Sequence, residues 1–286
     1  MISPKETSLP RKFMARVIYF WLFLVLFHFY LINSLVHQWQ QPVLIFPGAD
    51  NAYWVLHILS IPQAIMQSKY LSLGFDIVIV GSTLLFFCFP QRTFFCLVSI
   101  VCFWLFQIMY GSANGHHYHH FAYLIIPLAF TFRNSMKFYF AWELIRYWIL
   151  FLMLCAGLYK LYYGAFFQET YMTTLLKSAY DSSSDTKRKI FLFFIARPRE
   201  TQLLYQAAAI FEMVSIIGFF TRRYDRIILL CLLAFNLGNS FFMNIPFWEN
   251  GLMLAPFFRW DNLYSWVESK LPLKNFYHRS RLTNGT

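Results

Sequence analysis

The sequence predicts an all-α fold, a polytopic transmembrane helix bundle of about seven to eight spans with an interfacial helix. Three observations carry that prediction. The chain is 58 % hydrophobic and only 13 % charged, too apolar for a soluble domain of its length to cover its surface. Its apolar runs recur at lengths near the ~17–25 residues that cross about 30 Å of hydrocarbon. Its basic residues collect in alternate connections between those runs.

Taken in order, the first run, 17–35, follows PRKFMAR and has no small-residue cleavage site, so it reads as a retained first helix. Residues 52–66, which hold His57 and Pro62, suit an interfacial helix. Further spans are expected at 70–90, 93–110, 118–133, 142–163, 203–221 and 226–244. The stretch 245–259 is interrupted by Pro246, Glu249 and Gly251. It reads either as an eighth crossing or as a re-entrant segment, since broken backbone at membrane depth persists only when buried in protein. The whole chain, 1–286, is expected to form a single transmembrane domain with an extramembrane loop at 170–200 and a polar tail at 264–286. Within that loop, SAYDSSSDTKRK at 178–189 has the Ser and charge content of a solvated linker.

The formal net charge is +11. No soluble domain is available to carry a basic face, so nucleic acid is not an expected partner, and membrane lipid is. Orientation accounts for the excess instead. Arg11, Lys12 and Arg16 precede the first span, Arg92 separates the second and third, Arg133 and Lys137 follow the fourth, and Arg222, Arg223 and Arg226 separate the sixth and seventh. The positive-inside bias then places the N-terminus in the cytoplasm. Lys270, Lys274, Arg279 and Arg281 return to that side only if 245–259 crosses. With this orientation GSANGHHYHH (111–120), the end of span five with Lys160, and FNLGNSFFMNIPFWEN (235–250) converge at the outer face.

Ionisable residues inside spans are costly and mark sites or partners. Lys160, in LCAGLYKLYYG, either snorkels to the headgroups or serves as a base. Arg146 lies about 40° from it around the same helix, with Gly157 on the same side, so this stripe faces the bundle. Glu212, near the middle of span six, is the natural counter-charge, and a structural Arg146–Glu212 pair is expected. The run His116, His117, Tyr118, His119, His120 could bind metal or haem by its helical spacing. It has no HExxH and no clear carboxylate partner, and no metal is expected. All five cysteines, Cys88, Cys96, Cys102, Cys155 and Cys231, sit in apolar runs without CxxC spacing and read as packing residues.

Three stretches, taken together and in order, resemble the vitamin K-dependent gamma-glutamyl carboxylases and the wider horizontally transferred transmembrane family. Residues 146–161, R-x-x-I-x6-A-G-x-x-K-L, are similar to a carboxylase helix with the motif AG-x-K-K-L, whose second lysine matches Lys160. FNLGNSFFMNIPFWENGLMLAP, from Phe235, is similar to a segment reading F-H-x-x-N-S-x-L-F and ending near M-L-A, which sets Asn239 and Ser240 on its N-S pair. Asn114, Gly115, His116, His117 and Tyr118 resemble the family's N-N-H-x-Y. Asn236 stands for a histidine, Gly115 for an asparagine and Tyr159 for a lysine. The family's extramembrane substrate-docking domain has no counterpart in these residues.

The resemblance implies a lysine base, Lys160, that takes a proton from a vitamin K hydroquinone-like reduced quinone. It also implies His116 as a second catalytic residue, substrate or cofactor binding by Asn114, Tyr118, Asn239 and Ser240, and a carboxylase-type lyase reaction on a secreted peptide or protein. Two other classes compete. One is a non-catalytic membrane partner in maturation, export or immunity of a secreted peptide. The other is a haem-binding electron carrier built on His28, His57 and the 116–120 run.

Overall fold

The structure, a computed structural model, describes residues 8–39, 43, 57–114, 122–180, 185–242 and 250–270, and among them there is no strand. The helices, in chain order, are α1 (Ser8–Leu31), α2 (Ile61–Gln67), α3 (Lys69–Cys88), α4 (Thr93–Asn114) and α5 (Ala122–Leu128). There follow α6 (Ser135–Tyr162), α7 (Tyr171–Tyr180), α8 (Asp185–Ile195), α9 (Pro198–Val214), α10 (Asp225–Phe242), α11 (Asn250–Met253) and α12 (Trp260–Lys270). Among the described residues five stretches are long and apolar enough to cross a membrane: Pro10–Gln38, Lys69–Cys88, Thr93–Ala113, Ser135–Tyr162 and Pro198–Phe219. The chain is therefore an all-helical protein with the spans of an integral membrane protein.

Local chemistry fixes where these helices start and stop. Ser68 caps α3 by accepting from the Leu71 amide, and the Asn134 side chain accepts from the amides of Met136 and Lys137 at the start of α6. Pro198 opens α9, where its missing N–H is not needed. Gly164, with φ of +72°, ends α6, and only glycine takes that backbone without strain. The carbonyls just past this end are not left bare. Gln202 donates to Ala165 O at 3.0 Å and Phe166 O at 3.1 Å, and Gln206 donates to Phe166 O at 2.8 Å.

Two packing layers meet along the bundle. In the first, α3 and α4 pair antiparallel, with Thr83 Oγ1 3.1 Å from Ser99 Oγ, while Tyr19 of α1 donates to Cys96 Sγ at 3.2 Å. Phe29 packs on Phe106 and Tyr110, so α1 and α4 run the same way. In the second, α6 and α9 run antiparallel. A Cβ on Gly157 would meet Met213 Cγ at 2.6 Å and Ala209 O at 3.0 Å, and one on Gly218 would meet Leu150 Cδ1 at 2.9 Å. Small residues thus let the two backbones approach. Arg11 joins the layers, donating to Arg133 O at 2.8 Å and Phe130 O at 3.0 Å.

Several expectations change. The span expected at 118–133 is, over its described part, α5 followed by a 3-10 turn, Ala129–Thr131. Those ten residues extend about 15 Å, about half a bilayer core; Pro127 inside α5 interrupts it, and 115–121 lie outside the described residues. The helix expected at 226–244 is present as α10, but its 18 residues reach only about 27 Å. It carries Asp225, Arg226, Asn236 and Asn239 and is not among the five. The interfacial helix expected at 52–66 is described from 57 onwards and continues as α2 to Gln67.

The stretch 170–200, expected as an extramembrane loop, holds more helix than its composition suggests. Its described residues form α7 and α8 on either side of 181–184, so the solvated linker at 178–189 is largely helical. Thr173 and Leu176 of α7 and Phe191 of α8 are buried, and Tyr171 packs on Tyr205 of α9. Apolar residues at helical spacing outweigh the Ser and charge content there. The broken stretch 245–259 is described from 250. Gly251 presses on the Trp21 indole, where a Cβ would lie 2.6 Å from Cζ2, and a 3-10 turn follows at Ala255–Phe257. The tail expected from 264 begins instead inside α12, whose Trp260 and Tyr264 pack on Phe13 of α1.

Candidate functional site

Lys160 stands two residues before the end of α6, and its Nζ lies 2.5 Å from both carboxylate oxygens of Glu212 on α9. The Glu212 side chain is 2 % exposed and that of Lys160 21 %. Two aromatic faces cover the ammonium: Tyr205 of α9 at 5.6 Å and Phe235 of α10 at 5.3 Å to the ring centroids. Three helices therefore build the site. The register that brings them together follows from Gly157, one turn below Lys160, which admits Ala209 and Met213 on either side of the Glu212 turn.

Outward from the pair, Leu158, Tyr159, Tyr162 and Tyr163 are exposed, and the rings of Tyr159 and Tyr163 lie 4.3 Å apart. In a membrane span such residues face lipid, so the ion pair is buried on one flank and bordered by an aromatic, lipid-facing surface on the other. An ammonium has three donors. A carboxylate and two ring faces leave it able to donate to one further oxygen.

The expected Arg146–Glu212 pair is not formed. Arg146 instead donates to Asp225 Oδ1 at 2.5 Å, Gly218 O at 2.7 Å, Thr221 O at 3.4 Å and Glu143 Oε1 at 3.2 Å. Arg222 closes the cluster from the other side of Glu143. The guanidinium fork takes all these acceptors at once, near the turn that joins α9 to α10, and its side chain is 1 % exposed. The antiparallel register sets Glu212 against Lys160, fourteen residues along the helix from Arg146, which is why the partners exchange.

Of the other candidates, Ser240 lies partly buried on α10, and Asn239 and Asn114 belong to α10 and the end of α4. His116 and Tyr118, with the rest of the histidine run, lie outside the described residues. The first and second motifs of the resemblance do meet: Phe235, which opens the second, is the ring over Lys160, which closes the first. Among the described residues no group of three His, Cys, Asp or Glu side chains could hold a metal ion.

Sequence reasoning passed over one buried pair. Asp76 of α3, 4 % exposed, accepts from the His37 amide at 2.8 Å and lies 2.7 Å from His37 Nδ1, while its Oδ1 has no partner. The signal was present, since Asp76 is an acid within the run 70–90 and the rule that singled out Lys160 applies to it equally. Tyr205 carried no such signal.

The chain matches no protein-family model, no curated protein and no solved structure.

Proposed function

We propose that this chain is an integral membrane enzyme resembling the transmembrane part of the vitamin K-dependent gamma-carboxylases. In this proposal it uses a reduced quinone and acts on a secreted peptide or a small molecule at the outer face of a bacterial inner membrane. The observation that supports it is the Lys160–Glu212 pair, a proton-holding couple with a buried carboxylate and a lipid-facing aromatic border. A reduced quinone suits these residues: its ring would stack on Tyr205 or Phe235, and its tail would lie along Tyr159 and Tyr163. When bound it would supply an acidic phenolic O–H and electrons for oxygen. Lys160 does the protein's part. Its amine, held against the Glu212 carboxylate, is the group placed to take the quinol proton. Ser240 and Asn239 are on the helix that carries Phe235, within the same region of α10.

Mass spectrometry of the lipid extracted from purified protein tests this. A quinone at near-equimolar amount in the wild type, and its loss in Lys160→Met, are expected. An extract without quinone from correctly folded protein contradicts the cofactor.

A second reading, a non-catalytic membrane partner for a secreted peptide, is favoured by the same contact seen differently. Lys160 already has its counter-charge, which is all that a structural lysine requires. Genes for a small secreted peptide beside this one, together with full output from Lys160→Arg, would support it over the enzyme.

A further inference from the structure

At the end of the bundle where α1 and α6 begin, a cleft of about 370 Å³ opens between the first turns of both helices, the α9–α10 turn and residues 256–262. Its walls include Tyr139, Trp142 and Trp260. Rings of this kind belong at the level of the lipid headgroups. Trp260 is held in place, donating from Nε1 to Ala255 O at 2.7 Å.

The charges lining the cleft divide into two sets. Arg222 is paired with Glu143, and Asp225 with Arg146, so these cancel within the protein. Arg259 and Asp261 are exposed, line the same cleft, and make no ion pair with each other or with any described residue. Among the described residues one cation and one anion are therefore left over, two residues apart, beside a ring-walled space in the size range of small-ligand pockets.

An anionic headgroup would satisfy Arg259 and be repelled by Asp261, and a bare cation would do the reverse. A ligand that carries a phosphate and a primary ammonium a few bonds apart satisfies both. We infer that this cleft binds the headgroup of a zwitterionic, amine-bearing phospholipid, phosphatidylethanolamine in class. Arg259 takes the phosphate and Asp261 accepts hydrogen bonds from the ammonium. A quaternary ammonium has no N–H to offer Asp261, so phosphatidylcholine lacks that half of the interaction. The lipid's chains extend along the exposed apolar faces of the bundle. The inference is independent of what happens at Lys160.

The test is a titration of the purified full chain, in a non-ionic detergent, with dihexanoyl-phosphatidylethanolamine, the matching phosphatidylcholine and phosphatidylglycerol, and water-soluble glycerophosphoethanolamine, reading the thermal midpoint. Half-saturation by phosphatidylethanolamine is expected at least tenfold below the other two lipids and below the soluble headgroup. Arg259→Gln should weaken all three lipids, whereas Asp261→Asn should bring phosphatidylethanolamine level with phosphatidylcholine. Both positions are exposed, and native mass spectrometry of each variant checks that it is folded before titration. Equal response to ethanolamine and choline lipids in the wild type, preference for phosphatidylglycerol, or equal binding of the soluble headgroup would each overturn the assignment.

Discussion

Two of the cations on helix α6, Arg146 and Lys160, lie about 21 Å apart along one stripe, and the protein treats them in opposite ways. Arg146 is enclosed: two carboxylates and two carbonyls accept from its two terminal nitrogens, its Nε has no partner among the described residues, and Phe257 and Tyr147 rings lie 5.8 and 5.6 Å from it. Lys160 has one carboxylate, two ring faces and an open flank. A planar guanidinium gathers backbone ends from a turn, and a slender ammonium on one buried acid leaves a donor for something else. The difference separates a residue that ties helices together from one that keeps an open flank.

The largest effect should come from breaking the enclosed end. Arg146→Met leaves Asp225 and the Gly218 carbonyl without their buried donor and should destabilise the fold by about 3–5 kcal/mol, read as a fall in the thermal midpoint of purified protein. Arg146→Lys should recover little of this, because a point charge cannot reach all four acceptors. Wild-type stability in Arg146→Lys would remove the contrast between the two ends.

Next in size is Gly157. A valine there meets the Ala209 carbonyl as well as Met213, and overpacking of this kind costs roughly 1–3 kcal/mol. It should also separate Lys160 from Glu212, so any activity ought to fall further than stability does. Gly157→Ala should be milder, since the Met213 side chain can turn aside.

A smaller effect is expected for Glu212→Gln, which keeps hydrogen-bonding atoms opposite Lys160 but removes the charge; a loss of about 1–3 kcal/mol follows from leaving the partner less well satisfied. Combining it with Lys160→Met should cost less than the sum of the two single changes, as a double-mutant cycle for a contacting pair requires. Additive losses would mean that the pair is not formed in the membrane. The smallest effect belongs to Arg222→Gln, within about 0.5 kcal/mol, because that side chain is 67 % exposed and its contact with Glu143 is screened by solvent.

The bundle was legible wherever a long apolar run stood alone, as at 17–35, 70–90, 93–110 and 142–163. It was not legible at 170–200, where Ser and charge content masked the spaced apolar residues of α7 and α8, nor at 118–133, where Pro127 interrupts an otherwise apolar run. For the site, burial cost alone singled out Lys160, Arg146 and Glu212. Their pairing could not be read, because spans five and six are joined by more than thirty residues and no short turn sets their register. That register comes from Gly157 against Ala209 and Met213 and from Gly218 against Leu150. It sets Glu212 near Lys160 and leaves Arg146 to Asp225. Phe235 could be placed in its motif but not over the ammonium, since ring contacts between helices depend on the same register.

The central claim is that Lys160 acts as a base and not as an anchor, and oxygen uptake tests it most directly. Purified protein in lipid nanodiscs would be supplied with a chemically reduced naphthoquinol, and oxygen consumption above the protein-free rate followed for wild type, Lys160→Arg and Lys160→Met. Guanidinium keeps the charge and the contact with Glu212 but does not give up its proton at working pH. The account predicts uptake by the wild type and none above background in either variant, with Lys160→Arg melting as the wild type does. Uptake by Lys160→Arg equal to the wild type would contradict it, and Lys160 would then be a structural cation like Arg146.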